Sequence, residues 1–362
     1  MPRRSFLKQF FILVVSLTAL FKLRPLRAAV LNTTEYSPQS RLNNPKLPTL
    51  KNNYLGNPIE KGIFINPYTE NTPAAKHRFS DLIKWRFSDN PYKAEKEREK
   101  SLPGLEVIHA KDKPNTDQDY ILWLGHASFL IQINGKVLVT DPCLTAPPMF
   151  TRHTELPIPI DNIKPDYLLI SHGHYDHLDS DTLKHFNHTK ALIPLKMSPL
   201  MQELNDTIDC QEAGWYQQYS LDDGFEIIFL PANHWYRRTP FDKNEILWGS
   251  FLIKTPSKTL YFAGDTGYAE HFKETHELFG KIDIAFLPIG AYEPRWFMKS
   301  SHINPQEALQ AYHDLQADTL VPMHYGTFDL TDEPLSLPPK VLKENTTTEK
   351  VKYLKIGETW LI

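Results

Sequence analysis

The sequence predicts an α/β fold in which two mixed β-sheets pack face to face with helices outside, an αββα sandwich. Apolar runs of strand length recur from Tyr120 onwards, and a helical pattern lies between two of them at residues 305–316. Several of these runs end on a histidine or an aspartate. Strands mixed with helices are typical of layered α/β folds, and residues 119–362 are enough for one such domain.

The first 29 residues differ from the rest of the chain. Arg3 and Arg4 precede an apolar run of twelve residues, 10–21, and basic residues follow that run. A run of this length is too short to span a bilayer comfortably. The pattern therefore favours a twin-arginine export signal at residues 1–29 over an uncleaved membrane anchor. We expect a periplasmic protein, with membrane association left open.

Residues 30–118 are predicted to form an N-terminal extension that wraps the core. They are rich in proline, asparagine and charged residues, and they contain an apolar patch at residues 82–87. This composition favours an irregular arm over a separately folded domain. We expect the arm to cover a sheet edge or to touch lipid.

Charge and cysteine content limit the partners of the chain. Residues 1–29 carry six basic and no acidic side chains, which leaves 34 lysines and arginines against 43 aspartates and glutamates. This negative balance excludes nucleic acid, and it argues against simple electrostatic adhesion to anionic lipid. Any peripheral membrane contact is expected to be apolar or local.

Cys143 and Cys210 are interpreted as core thiols, with a disulfide left open.

Local patterns in the core predict a hairpin and the boundaries of one helix. Asn134-Gly135 lies between two apolar runs, residues 129–133 and 136–140, which is a strong hairpin signal. Asn304 can cap the helix that follows it, because its side chain can accept a hydrogen bond from the first turn. Apolar side chains recur along that helix at three- and four-residue spacing.

Residues 171–179 read Ser-His-Gly-His-Tyr-Asp-His-Leu-Asp and directly follow an apolar run at residues 167–170. They contain four potential metal ligands within six residues, namely His172, His174, Asp176 and His177. Imidazole and carboxylate groups suit zinc and its first-row neighbours. Four ligands in one loop, with more expected elsewhere, predict two metals that share a pocket and hold a water between them.

Three further segments repeat one design, in which an apolar run of strand length leads to a residue of metal-ligand type. The residues that follow these runs are His234, Asp265 and His324. Strand ends converge on one edge of a sheet, so side chains that are far apart in sequence can meet there. Each residue alone is more typical of a cap or of the core, but together with the loop they make five histidines and two aspartates.

The order of these residues resembles the metallo-β-lactamase superfamily, in which an H-x-H-x-D-H loop precedes a single histidine, a bridging aspartate and a last histidine. The amino-acid sequences at residues 171–179, 262–268, 289–299 and 323–328 resemble motifs of the N-acylphosphatidylethanolamine-hydrolysing phospholipase D family. Residues 289–299, Ile-Gly-Ala-Tyr-Glu-Pro-Arg-Trp-Phe-Met-Lys, are the most specific part of the resemblance. Gly173 departs from it, because a polar asparagine is expected at that position.

The resemblance implies the metallo-β-lactamase fold and a ligand set for two Zn²⁺ ions, with other first-row divalent metals as an alternative. The implied ligands are His172, His174 and His234 for one ion, Asp176, His177 and His324 for the other, and Asp265 as the bridge.

The resemblance also implies roles for residues near the ligands. Asp265 and His302 are the expected catalytic residues. A non-ligand imidazole at His302 could stabilise charge on a phosphoryl oxygen or protonate the leaving group, and the alternative is an exposed residue beside the helix. Tyr292 and Trp296 are expected to contact the substrate. Tyr175 is interpreted either as a substrate contact or as a packing residue.

Two polar residues are expected behind the ligands. His126, in Gly-His-Ala-Ser, is interpreted as a structural or supporting group, and Asp141, in Thr-Asp-Pro, can orient a ligand histidine from behind.

The expected function is a dinuclear zinc phosphodiesterase of phospholipase D type. Its expected substrate is N-acylphosphatidylethanolamine or a related phospholipid, and its products are phosphatidic acid and the N-acyl amino alcohol. A metal-dependent lactonase or carboxylic-ester hydrolase is the alternative among enzymes. A metal-binding envelope protein is the alternative that is not an enzyme. The sequence leaves open whether the chain forms a homodimer.

Overall fold

A computed structural model of the chain describes residues 40–68, 79–101, 104–221 and 224–362. The predicted export signal at residues 1–29 lies outside the described residues and stays a prediction. Within the described ranges, no helix is both long enough and apolar enough to cross a membrane.

One mixed sheet has seven strands in the order β16-β4-β5-β6-β7-β8-β9. Its first four strands in that order pair antiparallel, and β6 to β9 pair parallel. The strands are β4 (Tyr120–Gly125), β5 (Ser128–Ile133), β6 (Lys136–Thr140), β7 (Tyr167–Leu169), β8 (Lys190–Pro194), β9 (Asp209–Ala213) and β16 (Thr359–Leu361).

The second mixed sheet has six strands in the order β10-β11-β12-β13-β14-β15. Strands β10 to β13 pair antiparallel, and β13 to β15 pair parallel. The strands are β10 (Gln217–Gln218), β11 (Glu226–Leu230), β12 (Ser250–Lys254), β13 (Thr259–Phe262), β14 (Ile282–Pro288) and β15 (Ala317–Met323).

The two sheets pack against each other through apolar side chains. Phe129 of β5 and Phe286 of β14 lie between them, with ring centroids 4.7 Å apart. The helices are α1 (Phe79–Phe87), α2 (Lys93–Glu99), α3 (Ser180–Leu183), α4 (Ser198–Leu204), α5 (His271–Phe279), α6 (Arg295–Met298), α7 (Pro305–Asp314) and α8 (Leu337–Asn345). Helix α7 packs on β14 and β15, and α4 packs on β9. The predicted fold class is confirmed.

Residues 40–68 lie against the core and contain a small antiparallel sheet of β1 (Ser40–Leu42), β2 (Asn57–Glu60) and β3 (Ile63–Phe64). The backbone N–H of Leu50 donates to the carbonyl of Tyr216 at 2.8 Å, and that of Gln218 donates to Pro48 at 3.1 Å. Strand β10 is the edge of the six-stranded sheet, so this part of the N-terminal segment covers that edge.

The predicted local elements are present. The hairpin turns at Asn134 and Gly135, whose positive φ values of 45° and 76° fit the tight turn between β5 and β6. Helix α7 begins after Asn304, whose side chain accepts from the backbone N–H of Glu307 while Glu307 caps in return. Cys143 is buried, and both cysteines are free thiols.

Five strands point their carboxyl ends at the same edge of the sandwich. The residues placed there, each after the last residue of its strand, are Asp141 (β6), His172 (β7), His234 (β11), Asp265 (β13) and His324 (β15). Short loops leaving rigid strands hold side chains precisely enough to build a site.

Candidate metal centre

Three imidazole nitrogens from two segments meet at one point. Nε2 of His172 lies 3.0 Å from Nδ1 of His174, and Nε2 of His234 lies 3.2 Å from the same Nδ1 atom. The nitrogens of a tetrahedral zinc site with Zn–N bonds of ~2.1 Å lie ~3.4 Å apart, so this spacing suits a shared cation.

A second group of ligand atoms lies beside the first. Nε2 of His177 is 3.2 Å from Nε2 of His324. Oδ2 of Asp176 lies 3.5 Å from the His177 nitrogen and 3.6 Å from the His324 nitrogen. All of these side chains are buried except for a small exposed part of Asp176.

The Asp265 carboxylate stands between the two groups. Its Oδ1 lies 2.9 Å from Nε2 of His324, and its Oδ2 lies 3.2 Å from Nε2 of His177. The same Oδ2 atom is 3.9 Å from Nε2 of His172 and 3.9 Å from Nε2 of His234. One carboxylate therefore reaches both groups, which is the position expected of a bridging ligand.

Asp141 supports one predicted ligand in each group. Its Oδ2 atom accepts from Nδ1 of His177 at 2.7 Å and from Oγ of Ser171 at 2.6 Å. The Ser171 hydroxyl therefore accepts from Nδ1 of His172, at 2.9 Å. Both imidazoles are thus oriented through Nδ1, so that Nε2 is the atom that faces the cluster, as a metal ligand requires.

Two further contacts fix ligand side chains from behind. Nδ1 of His234 donates to the carbonyl of Ser301 at 3.0 Å. Nε2 of His126 lies 3.1 Å from Oδ2 of Asp176, and its ring centroid is 4.0 Å from that of His324. His126 and Asp141 therefore occupy the supporting positions that the sequence suggested.

Electrostatics in the cluster favour a cation. Burial holds the pKa of His172 and His234 well below the usual range, so both rings are neutral. Burial also acts on His324, but the carboxylates of Asp265 and Asp176 outweigh it and raise its pKa to about 9. The carboxylates therefore favour a proton on the neighbouring His324 imidazole, and a metal ion would replace that positive charge.

The donor set fits a metal on chemical grounds. The Nδ1 hydrogens of His172 and His234 are used by oxygen atoms, so their Nε2 lone pairs face the same point as Nδ1 of His174. A hydrogen on Nδ1 of His174 could satisfy only one of these two lone pairs, whereas a cation among the three nitrogens would satisfy all of them. The clusters are therefore able to bind metal, and the role of each residue as a ligand remains a prediction.

A cavity of about 520 Å³ opens above these clusters. His174, Asp176, His234 and Asp265 contribute to its floor. Its wall is mainly apolar and comes from separate segments of the chain, including Leu82, Trp85, Phe150, Trp235, Phe297, Met298 and Leu330. Two cations, Arg237 and Lys243, also line it.

His302 and Tyr175 line the cavity, but the other two predicted substrate contacts do not. Nδ1 of His302 lies 3.8 Å from Oδ2 of Asp265. Among the described residues, neither Tyr292 nor Trp296 is part of the lining. Their positions therefore do not support the prediction that they contact the substrate.

The reason lies in the direction of the side chains. Tyr292 is buried, and its backbone N–H donates to Oε1 of Glu333 at 3.1 Å. Trp296 lies in α6, where successive side chains point ~100° apart. Phe297 and Met298 face the cavity, and Trp296 turns outward to lie under the ammonium group of Lys84 at 4.7 Å.

Residues 137–325, just over half of the chain, match the family model described as the beta-lactamase superfamily domain. The chain belongs to the metallo-β-lactamase superfamily. It is 31% identical over 344 residues to N-acyl-phosphatidylethanolamine-hydrolyzing phospholipase D 1 of Caenorhabditis elegans, covering 86% of this chain and 96% of the relative.

Two further relatives are similar to this chain over shorter lengths. A mitochondrial N-acyl-phosphatidylethanolamine-hydrolyzing phospholipase D of Saccharomyces cerevisiae is 35% identical over 62% of this chain, which spans about half (51%) of the yeast protein. A UPF0173 metal-dependent hydrolase of Pyrobaculum neutrophilum is 30% identical over 66% of this chain and 97% of the relative.

Solved structures share the superfamily fold. The metallo hydrolase Igni18 of Ignicoccus hospitalis has a TM-score of 0.52 and 25% identity, over 68% of this chain and 98% of that structure. An isothiocyanate hydrolase from Delia radicum gut bacteria has a TM-score of 0.56 at 17% identity, over 67% of this chain and 98% of that structure, and it shows the fold alone. The fold, the ligand clusters and the relatives make the chain a metal-dependent hydrolase.

Proposed function

We propose that the chain is a dinuclear zinc phosphodiesterase of phospholipase D type, acting on N-acylphosphatidylethanolamine or a related phospholipid. One observation carries the proposal: the metal-binding clusters form the floor of a cavity whose wall is mainly apolar. A polar reaction centre below an apolar wall suits a substrate with a phosphodiester and acyl chains. The similarity to the Caenorhabditis elegans relative supports the same substrate class.

The clusters would hold two ions, one with His172, His174 and His234 and the other with Asp176, His177 and His324, with Asp265 shared. When bound, the ions would supply a water activated near neutral pH and positive charge for the phosphoryl oxygens.

The protein's own residues would orient the substrate and assist departure of the leaving group. His302 is mostly buried, lines the cavity and is not at a ligand position in either group, and its Nδ1 atom has no hydrogen-bond partner among the described residues. Its ring can therefore donate to a phosphoryl oxygen or to the leaving oxygen. The aromatic rings of Trp85, Trp235 and Phe297 would hold apolar chains and exclude water from the floor.

The mouth of the cavity suits a phospholipid at a membrane surface. Arg237 and Lys243 line it, and within the described part of the chain neither forms an ion pair with a carboxylate. Several apolar side chains are exposed within two positions in sequence of residues that line the cavity, among them Phe87 at 74%, Met149 at 75% and Phe241 at 90%. We propose that this rim makes a local peripheral contact with lipid, which an overall acidic chain can form through apolar groups and a few cations.

Parallel assays on zinc-loaded protein test the proposal. N-acylphosphatidylethanolamine in mixed micelles, bis(p-nitrophenyl) phosphate and an acyl lactone are offered at equal metal concentration. We expect hydrolysis of both phosphodiesters, with a kcat/KM higher for the lipid, and little turnover of the lactone. Turnover of the lactone alone would contradict the proposal and indicate a carboxylic-ester hydrolase. Metal binding without turnover of any of the three would indicate a metal-binding protein.

A further inference from the structure

A short loop after the ligand His234 folds back over the loop that carries four other ligands. We call residues 236–242 the clamp loop and residues 172–178 the ligand loop. Asp242 closes the clamp loop, because its Oδ1 atom accepts from the backbone N–H of Thr239 at 2.8 Å. Its Oδ2 atom accepts from the hydroxyl of Tyr236 at 3.1 Å.

The side chain of Arg238 joins the two loops. Its Nη1 atom donates to the carbonyl of Gly173 at 3.0 Å and to the carbonyl of Leu178 at 2.8 Å. The guanidinium lies 4.0 Å from the ring centroid of Tyr175. The Tyr175 hydroxyl donates in return to the backbone carbonyl of Arg238 at 3.1 Å.

The ligand loop has no regular structure of its own to set its shape. Residues 171–174 are outside any helix or strand, and a turn follows them, with the N–H of Leu178 bonded to the carbonyl of His174 at 2.9 Å. No ladder of backbone hydrogen bonds therefore fixes the distance between its two ends. One guanidinium, bonded to a carbonyl near each end, supplies that restraint.

We propose that Arg238 is a positioning residue of the metal centre, which holds the ligand loop in the conformation that brings His174, Asp176 and His177 to their ions. It acts through the carbonyls of Gly173 and Leu178 and through the ring of Tyr175. It lies among neither group of ligand atoms. The proposal rests on metal binding alone and is independent of the lipid substrate.

The chemistry of arginine explains why this residue type is placed here. A guanidinium is planar and always charged. Its flat face can therefore stack on an aromatic ring while its N–H groups, which lie in the guanidinium plane, donate to carbonyl oxygens at its edge. A lysine can donate to the same carbonyls, but it lacks the flat surface that lies on Tyr175. We therefore expect Arg238→Lys to keep part of the zinc affinity that Arg238 provides and Arg238→Met to keep none of it.

Zinc affinity is the direct test, measured by competition with a chromophoric chelator on the purified full chain. Arg238→Met should weaken zinc binding by ~10–100-fold, the usual effect of removing a group that orients metal ligands. Arg238→Lys should fall between this variant and the wild type. Arg98→Met, which removes an exposed arginine of α2, should leave zinc affinity unchanged.

Activity on bis(p-nitrophenyl) phosphate adds a second measurement. The free zinc needed for half-maximal activity should rise in Arg238→Met, while KM for the diester stays within ~2-fold of the wild type, because Arg238 is not among the described residues that line the cavity. Wild-type zinc affinity in Arg238→Met would overturn the proposal. If that variant does not fold, Arg238→Lys decides: weaker zinc binding supports the proposal, and wild-type binding overturns it. Absence of diester turnover in the wild type would bear on the proposed function and leave the chelator result intact.

Discussion

The Asp141 carboxylate lies 2.7 Å from Nδ1 of His177, and the same Oδ2 atom accepts the hydroxyl hydrogen of Ser171. Through Ser171 it also holds His172, so one buried carboxylate orients a predicted metal ligand in each of the two groups. Asp141→Asn keeps the size of the side chain but removes the charge and one acceptor. We expect zinc affinity to fall by ~10–100-fold for both ions.

Asp166→Asn is the matched control for this substitution. Asp166 accepts from the backbone N–H of Val137 at 2.9 Å and pairs with Lys136 away from the site, so zinc affinity should not change. Calorimetric titration with zinc measures both variants. Two unchanged binding steps in Asp141→Asn would show that the contact does not matter for metal binding.

Asp265→Asn should lose more activity than its loss of metal explains. The carboxylate reaches both groups, with one oxygen 2.9 Å from Nε2 of His324 and the other 3.9 Å from Nε2 of His172, and an amide offers one weak oxygen in its place. At zinc concentrations that restore full metal content, we expect turnover to stay at least ~10³-fold below the wild type. Elemental analysis and activity are measured on the same sample. A variant with full metal and a near-normal rate would show that Asp265 is not the shared ligand.

His302→Ala should retain the fold and the metals but lower the rate. We expect a loss of ~10²–10⁴-fold on a diester with an alkyl leaving group, the usual contribution of a positioned acid or base. The loss should be smaller for bis(p-nitrophenyl) phosphate, because nitrophenolate needs no proton to leave. Equal losses on both substrates would assign His302 to substrate binding or charge stabilisation and would exclude the acid role.

Gly173→Ala should destabilise the protein through a clash with Tyr236. A Cβ atom at position 173 would lie 2.5 Å from Cε2 and 3.0 Å from Cδ2 of the tyrosine ring. Overpacking of this kind costs ~1–3 kcal/mol, measured by urea unfolding. The same change should cost less in a Tyr236→Leu background, because the ring is then absent. Gly104→Ala is the control, since its nearest neighbour is 3.4 Å away; equal costs at positions 173 and 104 would exclude the clash.

The pair of Gly173 and Tyr236 also gives a physical reason for the one departure from the expected motif. The asparagine expected at position 173 has no room beside this ring. The sequence alone revealed the departure but not its partner, because 63 positions separate the two residues.

Much of the fold and the approximate position of the site were predictable from sequence. Each ligand-type residue follows an apolar run, and strand ends share one edge of a sheet, so the convergence of His172, His234, Asp265 and His324 follows from pattern. The hairpin at Asn134-Gly135 and the capped helix α7 depend on the backbone preferences and capping side chains of neighbouring residues, so they can be predicted from short stretches of sequence.

The cavity wall and the clamp depend on tertiary contacts that leave no local pattern. The motif at residues 289–299 indicated the right segment, but it could not say that Phe297 and Met298 face the cavity while Tyr292 is buried elsewhere. Arg238 was missed because the carbonyls that it binds lie about sixty positions earlier in the chain, and an arginine in a loop is usually solvated.

Cleavage of N-acylphosphatidylethanolamine by zinc-loaded protein in H₂¹⁸O, followed by mass spectrometry of the products, tests the proposed reaction most directly. Attack of water on phosphorus places one ¹⁸O atom in phosphatidic acid and none in the N-acylethanolamine, and this is the result that we predict. Label in a released fatty acid would mean that the protein hydrolyses an acyl bond, either a carboxylic ester or the N-acyl amide, and label in the N-acylethanolamine would mean that its C–O bond breaks. Either result would contradict a phosphodiesterase of phospholipase D type.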